Sequence, residues 1–248
     1  HLTPVTLELG GKSPAIIDRG ADLKSAARRL AWGTTLNAGQ TCIAPDYVLV
    51  SPEQKGELIE ALRAQFRAML GPDPLASDDY TAVVNEKHFE RLSALLRQGR
   101  AVIGGQAETA TRKIAPTVLT DVELDSDLMR DEIFGPILPI VETRDLDSAI
   151  EFVRRGDKPL SAYLFTKSSA SEKKFLRELA CGSVCINDVM MFMSVPELPF
   201  GGVGNSGMGQ YHGQAGFERF SHLKSVIKRG RFPEVTIRFA PYSSLKTR

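Results

Sequence analysis

Residues 47–70 read YVLVSPEQKGELIEALRAQFRAML, a short apolar stretch that runs directly into a longer amphipathic one. Tyr47–Val50 has the β-branched and aromatic content of a buried strand. Pro52 suits the first turn of a helix, where its missing N–H group costs nothing. The apolar side chains that follow recur at the spacing of one helix face, and they are Leu58, Leu62, Phe66 and Leu70. The stretch therefore predicts a strand followed by a helix.

The alternation of strand and helix continues on both sides of this unit. Upstream, Ala15–Ile17 is a predicted strand, and 23–38 is a predicted helix that Asp22 can cap. Downstream, the pattern predicts helices over 86–98, 146–155 and 171–180, and strands over 101–105, 114–119, 137–141, 160–165 and 183–187. Strands that alternate with helices predict an α/β fold with a largely parallel sheet flanked by helices.

The composition excludes several classes of function. The 248 residues carry a formal net charge of +1, which gives no reason to expect nucleic acid or an anionic membrane as a partner. No apolar stretch approaches the ~20 residues that span a bilayer. Three cysteines are too few for a disulfide framework and fit a reducing compartment, so a cytoplasmic protein is expected. Cys181 and Cys185 form C-x-x-x-C, which is neither a redox pair nor a zinc half-site, and no metal site is predicted.

The two ends of the chain suggest that it is part of something larger. It begins His1-Leu-Thr-Pro, without an initiator Met or a signal-like apolar run, so we expect a piece of a longer polypeptide. Near the other end, Phe217–Phe220 is a predicted short helix and Ser225–Lys228 a predicted strand with no obvious partner in this chain. Such a strand either pairs with another subunit or lies on the surface.

Cys42 is a candidate nucleophile. It follows Gly39-Gln40-Thr41 in a loop after a predicted helix, and Ala44-Pro45 comes shortly after it. A cysteine is a good nucleophile once a base or a local field removes the thiol proton. Most free cysteines are nevertheless small buried apolar side chains, so the position alone leaves both interpretations open.

A nucleophilic cysteine needs a base. The histidines are His1, His88, His212 and His222. They lie at the chain end or among polar residues, as structural histidines do. A carboxylate whose pKa is raised by burial can also serve, and Glu8 lies between Leu7 and Leu9 just before two glycines. Its alternation with Val5 and the leucines nevertheless favours a strand with the apolar side chains inward and Glu8 exposed.

Residues 199–209, PFGGVGNSGMG, contain the pattern G-x-G-x-x-G of dinucleotide-binding loops. That motif requires a strand before it and a helix after it. Two prolines just upstream disfavour the strand, and the glycine-rich stretch to Gly216 does not predict a helix. We therefore expect a loop that lets the backbone pass close to a catalytic centre.

Four segments resemble signature motifs of the NAD(P)-dependent aldehyde dehydrogenase superfamily. They are Val5-Thr-Leu-Glu-Leu-Gly-Gly-Lys12, Gly39-Gln-Thr-Cys-Ile-Ala-Pro-Asp-Tyr47, Arg130-Asp-Glu-Ile-Phe-Gly-Pro136 and the stretch 198–209. Their order and spacing match the family over nearly the whole chain. The segments 44–47, 211–213 and 220–222 are most similar to the class 3 branch, which includes fatty, aromatic and coniferyl aldehyde dehydrogenases. The resemblance implies the catalytic-domain fold of that family with a C-terminal oligomerisation strand.

The resemblance implies two catalytic residues. Cys42 matches the nucleophile that adds to an aldehyde to give a thiohemiacetal, which becomes a thioester when hydride leaves. Glu8 matches the general base that activates water to hydrolyse the thioester. The backbone N–H of Cys42 is a natural oxyanion donor. The second donor in the family is an Asn side chain, which here would lie before residue 1.

The resemblance also implies binding residues. Glu132 matches the carboxylate that holds the nicotinamide ribose hydroxyls, with Phe134 beside it. Leu9 and Gly10 match backbone near the nicotinamide. Phe200 matches an aromatic residue at the mouth of the substrate tunnel. The implied ligands are a small-molecule aldehyde and NAD or NADP.

The domain division implied by the resemblance is uneven. Residues 1–10 match the end of a coenzyme-binding domain, 11–215 the catalytic domain, and 216–248 a C-terminal segment. A strand within 224–231 is expected to cross to a neighbour in a homo-oligomer, with a dimer favoured. We expect the longer protein to oxidise aldehydes and this segment alone to be inactive, because most of the coenzyme domain lies upstream in the family. Two alternatives stay open, a cofactor-independent thiol esterase and a non-enzymatic association domain.

Overall fold

The computed structural model describes residues 2–232 and 238–242. The strands in these ranges are β1 (Leu7–Glu8), β2 (Pro14–Ile17), β3 (Tyr47–Val50), β4 (Arg100–Ile103), β5 (Ala107–Glu108), β6 (Lys113–Ile114), β7 (Thr117–Thr120), β8 (Ile137–Glu142), β9 (Ser161–Phe165), β10 (Ser183–Ile186) and β11 (Gly207–Met208). The helices are α1 (Leu23–Thr35), α2 (Pro52–Leu70), α3 (Glu86–Leu95), α4 (Asp127–Arg130), α5 (Leu146–Arg155), α6 (Ser169–Glu178) and α7 (Gly213–Arg219).

Seven of the described strands form one sheet in the order β10-β9-β2-β3-β8-β7-β4. Neighbouring strands run parallel from β10 to β7, and β4 at the edge is antiparallel to β7. Two small antiparallel pairs, β1 with β11 and β5 with β6, lie outside this sheet. The predicted α/β fold with a largely parallel sheet is confirmed.

Helices cover both faces of the sheet. Because successive side chains of a strand point to opposite faces, Ala15 and Ile17 of β2 join the apolar core under α1 and α2. Ile16 between them joins a second core, which includes residues of α5 and α6. The central strands β2 and β3 are buried along their whole length, as strands of a parallel sheet covered on both faces are.

The strand and helix predicted within residues 47–70 form as expected. Tyr47–Val50 is β3, and α2 begins at Pro52 after the N-cap residue Ser51. The four apolar residues spaced along α2 are its buried ones. Asp22 caps α1 through a hydrogen bond from the backbone N–H of Ser25 (3.0 Å).

Several helix boundaries differ from the prediction: α3 ends at Leu95, α6 is Ser169–Glu178, and two further differences have a clear cause in the backbone. The helix expected over 23–38 ends at Thr35, because Asn37 and Ala38 have φ angles of 51° and 52° and a left-handed backbone cannot continue a right-handed helix. A short 3₁₀ segment, Leu36–Gly39, follows. The expectation that no helix opens before residue 217 is wrong, since α7 begins at Gly213 after a turn at His212 with φ of 74°.

The strand predicted at Ser225–Lys228 does not form in the single chain. Residues 222–230, all of which the structure describes, are exposed and have neither helix nor strand. A strand needs a hydrogen-bonded neighbour, and the chain brings none to this segment. Pairing with a second subunit stays a prediction. None of the described helices combines the length and apolar composition needed to cross a bilayer.

Candidate active site

Cys42 lies on the loop between α1 and β3, at the edge of the larger apolar core. Its side chain is half-buried and packs against that core. Gln40 fixes the start of the loop, because its Nε2 donates to the carbonyls of Asn37 (2.9 Å) and Ala82 (3.1 Å). Its Oε1 accepts from the backbone N–H of Val84 at 2.9 Å. The backbone before the thiol is therefore held by a buried amide.

The same loop is held from two further sides. Tyr163, buried on β9, donates its hydroxyl to the carbonyl of Ile43. Gly39, with φ of 68°, lies so close to Gly135 that a Cβ atom would come within 2.3 Å of the Gly135 carbonyl oxygen. Glycine is required at this position because the loop touches the segment that leads into β8.

Glu8 reaches the thiol from β1. In the antiparallel pair of β1 with β11, Glu8 lies opposite Gly207, and the backbone N–H of Leu9 donates to the carbonyl of Ser206 at 3.0 Å. The Glu8 carboxylate lies close enough to the Cys42 thiol to raise the pKa of that thiol. The structure thus brings together the two residues for which catalytic roles are implied.

The alternation predicted for this strand is wrong. Val5, Leu7 and Leu9 were expected to face inward, yet they are 47%, 41% and 59% exposed. Glu8 is less exposed than its neighbours. The reason is that β1 pairs with β11 outside the main sheet, and Glu8 faces the loop that carries Cys42 rather than an apolar core.

Tyr211 is a site residue that the sequence analysis did not identify. Its hydroxyl donates to Oε2 of Glu8 over 3.4 Å, and its backbone exchanges two 2.8 Å hydrogen bonds with Phe200. The class 3-like segment 211–213 was noted as a resemblance, which is the one signal that could have pointed to this tyrosine. Without the fold, nothing in the sequence places it beside Glu8.

A column of aromatic rings supports this side of the site. The rings of Tyr163 and Phe192 stack with centroids 6.5 Å apart, and Phe192 stacks on Phe200 at 6.0 Å. His212 stacks on the same ring at 5.6 Å, and Tyr211 meets it edge-on at 5.7 Å. Phe200 is only 2% exposed and belongs to the larger apolar core. Its place at the mouth of a substrate tunnel stays a prediction.

The thiol of Cys42 is protonated at neutral pH in this chain. Burial raises its pKa to about 12, and the negative charge of Glu8, its hydrogen bond and the charge of Glu132 act in the same direction. A cation or hydrogen-bond donor placed next to the sulfur would lower the pKa. In this chain Cys42 is therefore a neutral thiol rather than a reactive thiolate.

Glu132 lies on the segment between α4 and β8, against the two glycines that follow Glu8. An added Cβ atom on Gly10 would come within 2.4 Å of Oε2 of Glu132, and the backbone of Gly11 hydrogen-bonds the carboxylate. Among the described residues, no donor reaches its buried Oε1. Burial raises the pKa of Glu132 to about 7, and the charge of Asp46 adds to the effect.

A cavity of about 750 Å³ opens beside this carboxylate. Leu9, Gly10 and Glu132, for which cofactor contacts are implied, line it together. Phe134 has a φ angle of 49° and is 39% exposed, but it is not part of the lining. Its predicted cofactor contact therefore has no support from this cavity. Within residues 2–232 and 238–242, no three side chains of His, Cys, Asp or Glu are grouped to hold a metal ion.

Comparison with known proteins assigns the chain to one enzyme family. The family model described as "Aldehyde dehydrogenase family" matches residues 1–226, and the chain belongs to that family. Within it, the chain is similar to the class 3 branch. It is 47% identical over 229 residues to a dog "Aldehyde dehydrogenase, dimeric NADP-preferring", covering 92% of this chain and 51% of the relative. It is 48% identical over 250 residues to human "Aldehyde dehydrogenase family 3 member B1", covering 100% and 53%.

A solved structure agrees with the family assignment. The substrate-bound state of Staphylococcus aureus AldH superposes with a TM-score of 0.93 at 45% identity, covering 97% of this chain and 53% of that one. The chain spans about half the length of the curated relatives it matches.

Proposed function

We propose that this chain supplies the catalytic half of an enzyme that oxidises an aldehyde to a carboxylic acid with NAD or NADP. The contact between Cys42 and Glu8 carries the proposal, because it joins a nucleophile to a base in one place. The reaction class is that of the family. Side chains around the aromatic column select the particular aldehyde that is oxidised. Segments of the longer protein outside the 248 residues contribute to this selection.

The chemistry assigned to the chain's own residues follows from their placement. The Cys42 sulfur attacks the aldehyde carbon, a C–S bond forms, and the thiol proton passes to Glu8 or to water. The backbone N–H of Cys42 stabilises the oxyanion of the thiohemiacetal. Loss of hydride leaves a thioester on Cys42. Glu8, which has lost any thiol proton to solvent, then takes a proton from the water that attacks the thioester carbon. The C–S bond breaks, the acid is released, and the Cys42 thiolate takes up that proton to restore the thiol.

Residues near Glu132 fit a dinucleotide. When bound, the nicotinamide coenzyme supplies the hydride acceptor. The buried Oε1 of Glu132 has no hydrogen-bond donor among the described residues, and Gly10 leaves space beside Oε2. Both features suit a ligand that brings hydroxyl donors, such as a ribose. The raised pKa of Cys42 also suits a site whose ligand brings positive charge, because a cation favours the thiolate.

We propose further that the 248 residues alone do not catalyse oxidation of the aldehyde. The second oxyanion donor and the main dinucleotide site, which the resemblance places upstream, are not among them. Loss of one oxyanion donor costs about 10²–10³ in rate, and without a coenzyme site the hydride has no acceptor. A cytoplasmic location and assembly as a homodimer are part of the same proposal, and the dog relative is described as dimeric.

The test compares this chain with a completed enzyme, in which an upstream coenzyme-binding segment is fused or added as a separate polypeptide. Formation of reduced coenzyme is measured with an aromatic and a long-chain aldehyde. We expect no turnover from the chain alone and about 1–10³ s⁻¹ from the completed enzyme. Cys42→Ser abolishes turnover, whereas the control Cys181→Ser retains it. Turnover at such rates by the chain alone contradicts the half-enzyme proposal.

The two alternatives give different results in the same experiment. A thiol esterase hydrolyses an activated ester through Cys42 with or without a dinucleotide and produces no reduced coenzyme from an aldehyde. If the chain is an association domain, addition of the upstream segment yields neither ester hydrolysis nor reduced coenzyme. Slow alkylation of Cys42 does not separate them, because the raised pKa predicts a slow reaction for a resting enzyme too.

A further inference from the structure

A buried ion pair joins the segment after Glu8 to the segment after Cys42. The ammonium group of Lys12 contacts the carboxylate of Asp46, and the side chains are 16% and 6% exposed. Lys12 precedes β2, and Asp46 immediately precedes β3. The backbone N–H of Asp46 also donates to the carbonyl of Ser13 at 2.8 Å. The pair therefore links two of the three segments that carry the proposed site.

Both members of the pair also contact the third segment, on either side of Glu132. Nζ of Lys12 donates to the carbonyl oxygen of Asp131 at 2.9 Å. Oδ1 of Asp46 accepts from the backbone N–H of Ile133 at 2.9 Å. The residue before Glu132 is thus held by the cation and the residue after it by the anion.

Glu132 needs such support because few other contacts direct its side chain. One carboxylate oxygen is buried without a donor among the described residues, and apart from the hydrogen bond from the backbone of Gly11 the carboxylate only lies against Gly10. The direction of the carboxylate is therefore set by the Glu132 backbone and by the single hydrogen bond from Gly11. A buried ion pair is a poor source of net stability, since desolvation of both charges offsets their attraction. Its placement here is better explained by what it holds.

We propose that the Lys12–Asp46 ion pair positions Glu132. The pair thereby sets the affinity for the ligand whose hydroxyl groups donate hydrogen bonds to Glu132. The proposal rests on the proposed function for the identity of that ligand, the ribose of NAD or NADP. Lys12 also lines the cavity beside Glu132, and the proposal assigns its effect on coenzyme binding to the positioning of Glu132 rather than to a contact of its own. Cys42 and Glu8 lie on the segments that the ion pair links. The pair does not hydrogen-bond the residues on both sides of Cys42 or of Glu8, as it does for Glu132.

The first test uses this chain and measures hydrogen exchange of the Ile133 amide by NMR. Lys12→Met should speed exchange at Ile133 by about tenfold or more, while the amide of Leu49 in the centre of the sheet changes less than about twofold. The control is Arg100→Met, which removes an exposed ion pair with Asp121 and should change neither amide. Equal acceleration at Ile133 and Leu49 would show a general stabiliser of the fold and overturn the proposal.

A single variant leaves one buried charge without its partner and can fail to fold. The double variant K12M/D46N removes both charges, and the amide oxygen that it introduces at position 46 can still accept from the backbone N–H of Ile133. We expect it to fold, to keep slow exchange at Leu49 and to show faster exchange at Ile133, because the carbonyl of Asp131 has lost its donor. Lys12→Arg keeps a donor and a charge and should restore part of the protection.

The second test uses the completed enzyme and steady-state kinetics. Lys12→Met should raise the KM for NAD or NADP by about tenfold and leave the KM for aldehyde within about twofold, since misplacing a binding group by a fraction of an ångström has effects of this size. In the background of Glu132→Gln, Lys12→Met should have little further effect, because residues that act through one another are not additive. Full additivity contradicts the proposal.

Failure of the positioning role and failure of the proposed function give different results. Unchanged coenzyme KM in Glu132→Gln removes the role of Glu132 in the proposed function, while exchange at Ile133 still reports on the ion pair. A raised KM in Glu132→Gln together with an unchanged KM in Lys12→Met overturns the positioning role and leaves the proposed function intact.

Discussion

Glu8 lies directly opposite Gly207 in the pair formed by β1 and β11, although the two residues come from opposite ends of the chain. Gly207 has a φ angle of 149°, and a Cβ atom there would lie 2.3 Å from the carbonyl oxygen of Leu7. The glycine-rich loop that first suggested a phosphate cradle thus serves a different purpose. Its lack of side chains lets a second strand approach the one that carries the proposed base.

Gly207→Ala should therefore destabilise the fold locally and move Glu8. We expect a loss of about 2 kcal/mol or more in the free energy of unfolding, because backbone must shift to relieve the clash and the φ angle is unfavourable for alanine. The control is Gly56→Ala in α2, where nothing lies within 4 Å of the new methyl group. That variant should gain about 0.5–1 kcal/mol. Chemical denaturation measures both, and equal effects contradict the prediction.

Glu8→Gln should make Cys42 more reactive at rest and less useful in turnover. The Glu8 charge and hydrogen bond raise the pKa of Cys42, so their removal lowers that pKa and increases the thiolate fraction at neutral pH. Alkylation of Cys42 by iodoacetamide should become several-fold faster, whereas thioester hydrolysis in the completed enzyme slows.

Cys181 is an internal control for that experiment. Burial alone raises its pKa to about 11, so its alkylation rate should not change in Glu8→Gln. Mass spectrometry of the two cysteine-containing peptides reports both rates in one sample. Slower alkylation of Cys42 in the variant would mean that Glu8 already acts as base toward the thiol before substrate binds.

Glu132→Gln should change how stability depends on pH. The pKa of Glu132 is raised from 4.5 to about 7 in the fold, so the unfolded chain ionises first as pH rises. The wild type therefore loses stability relative to the variant between about pH 4.5 and 7, with no further change above that range. After allowance for solvent screening, we expect a difference of about 1 kcal/mol. Urea denaturation of both chains across this range measures it, and a constant difference contradicts it.

Tyr211→Phe should separate a catalytic effect from a stability effect. The variant keeps the ring contacts with Phe200 and His212 but loses the hydroxyl that donates to Glu8. We expect turnover of the completed enzyme to fall several-fold at the hydrolysis step, with little change in stability. The control Tyr80→Phe removes a buried 2.7 Å hydrogen bond to the carbonyl of Ile114 and should cost about 1 kcal/mol without slowing turnover. The reverse pattern contradicts the prediction.

Much of the main sheet could be predicted from local sequence, because its strands are short apolar runs between turn residues. Tyr47–Val50 and the helix after it form at the predicted positions. Periodicity failed at Glu8, where apolar alternation indicated an exposed carboxylate. Apolar alternation looks the same in a strand that packs against an apolar core and in a strand that packs against the Cys42 loop. Only the pairing of β1 with β11 distinguishes the two cases.

The candidate site was predictable where a motif carries a reactive group and not where contacts join distant segments. Cys42, Glu8 and Glu132 are named by resemblance, and the fold brings each of them to one region. Lys12 and Asp46 stand inside the same motifs but show no sign in the sequence that they form a pair. Their relation depends on β2 and β3 being neighbours in the sheet, which is a property of topology.

The position of β2 has a consequence for how the chain is made. The strand completed earliest in the main sheet lies in its interior, between β3 and β9, and β9 begins only at Ser161. Translation of the intervening residues takes roughly 7 to 30 seconds at about 5–20 residues per second. During that time one edge of an apolar strand has no neighbour on the ribosome, and unpaired edges of this kind invite aggregation. The nascent chain should therefore depend on chaperones until Phe165 has emerged from the exit tunnel.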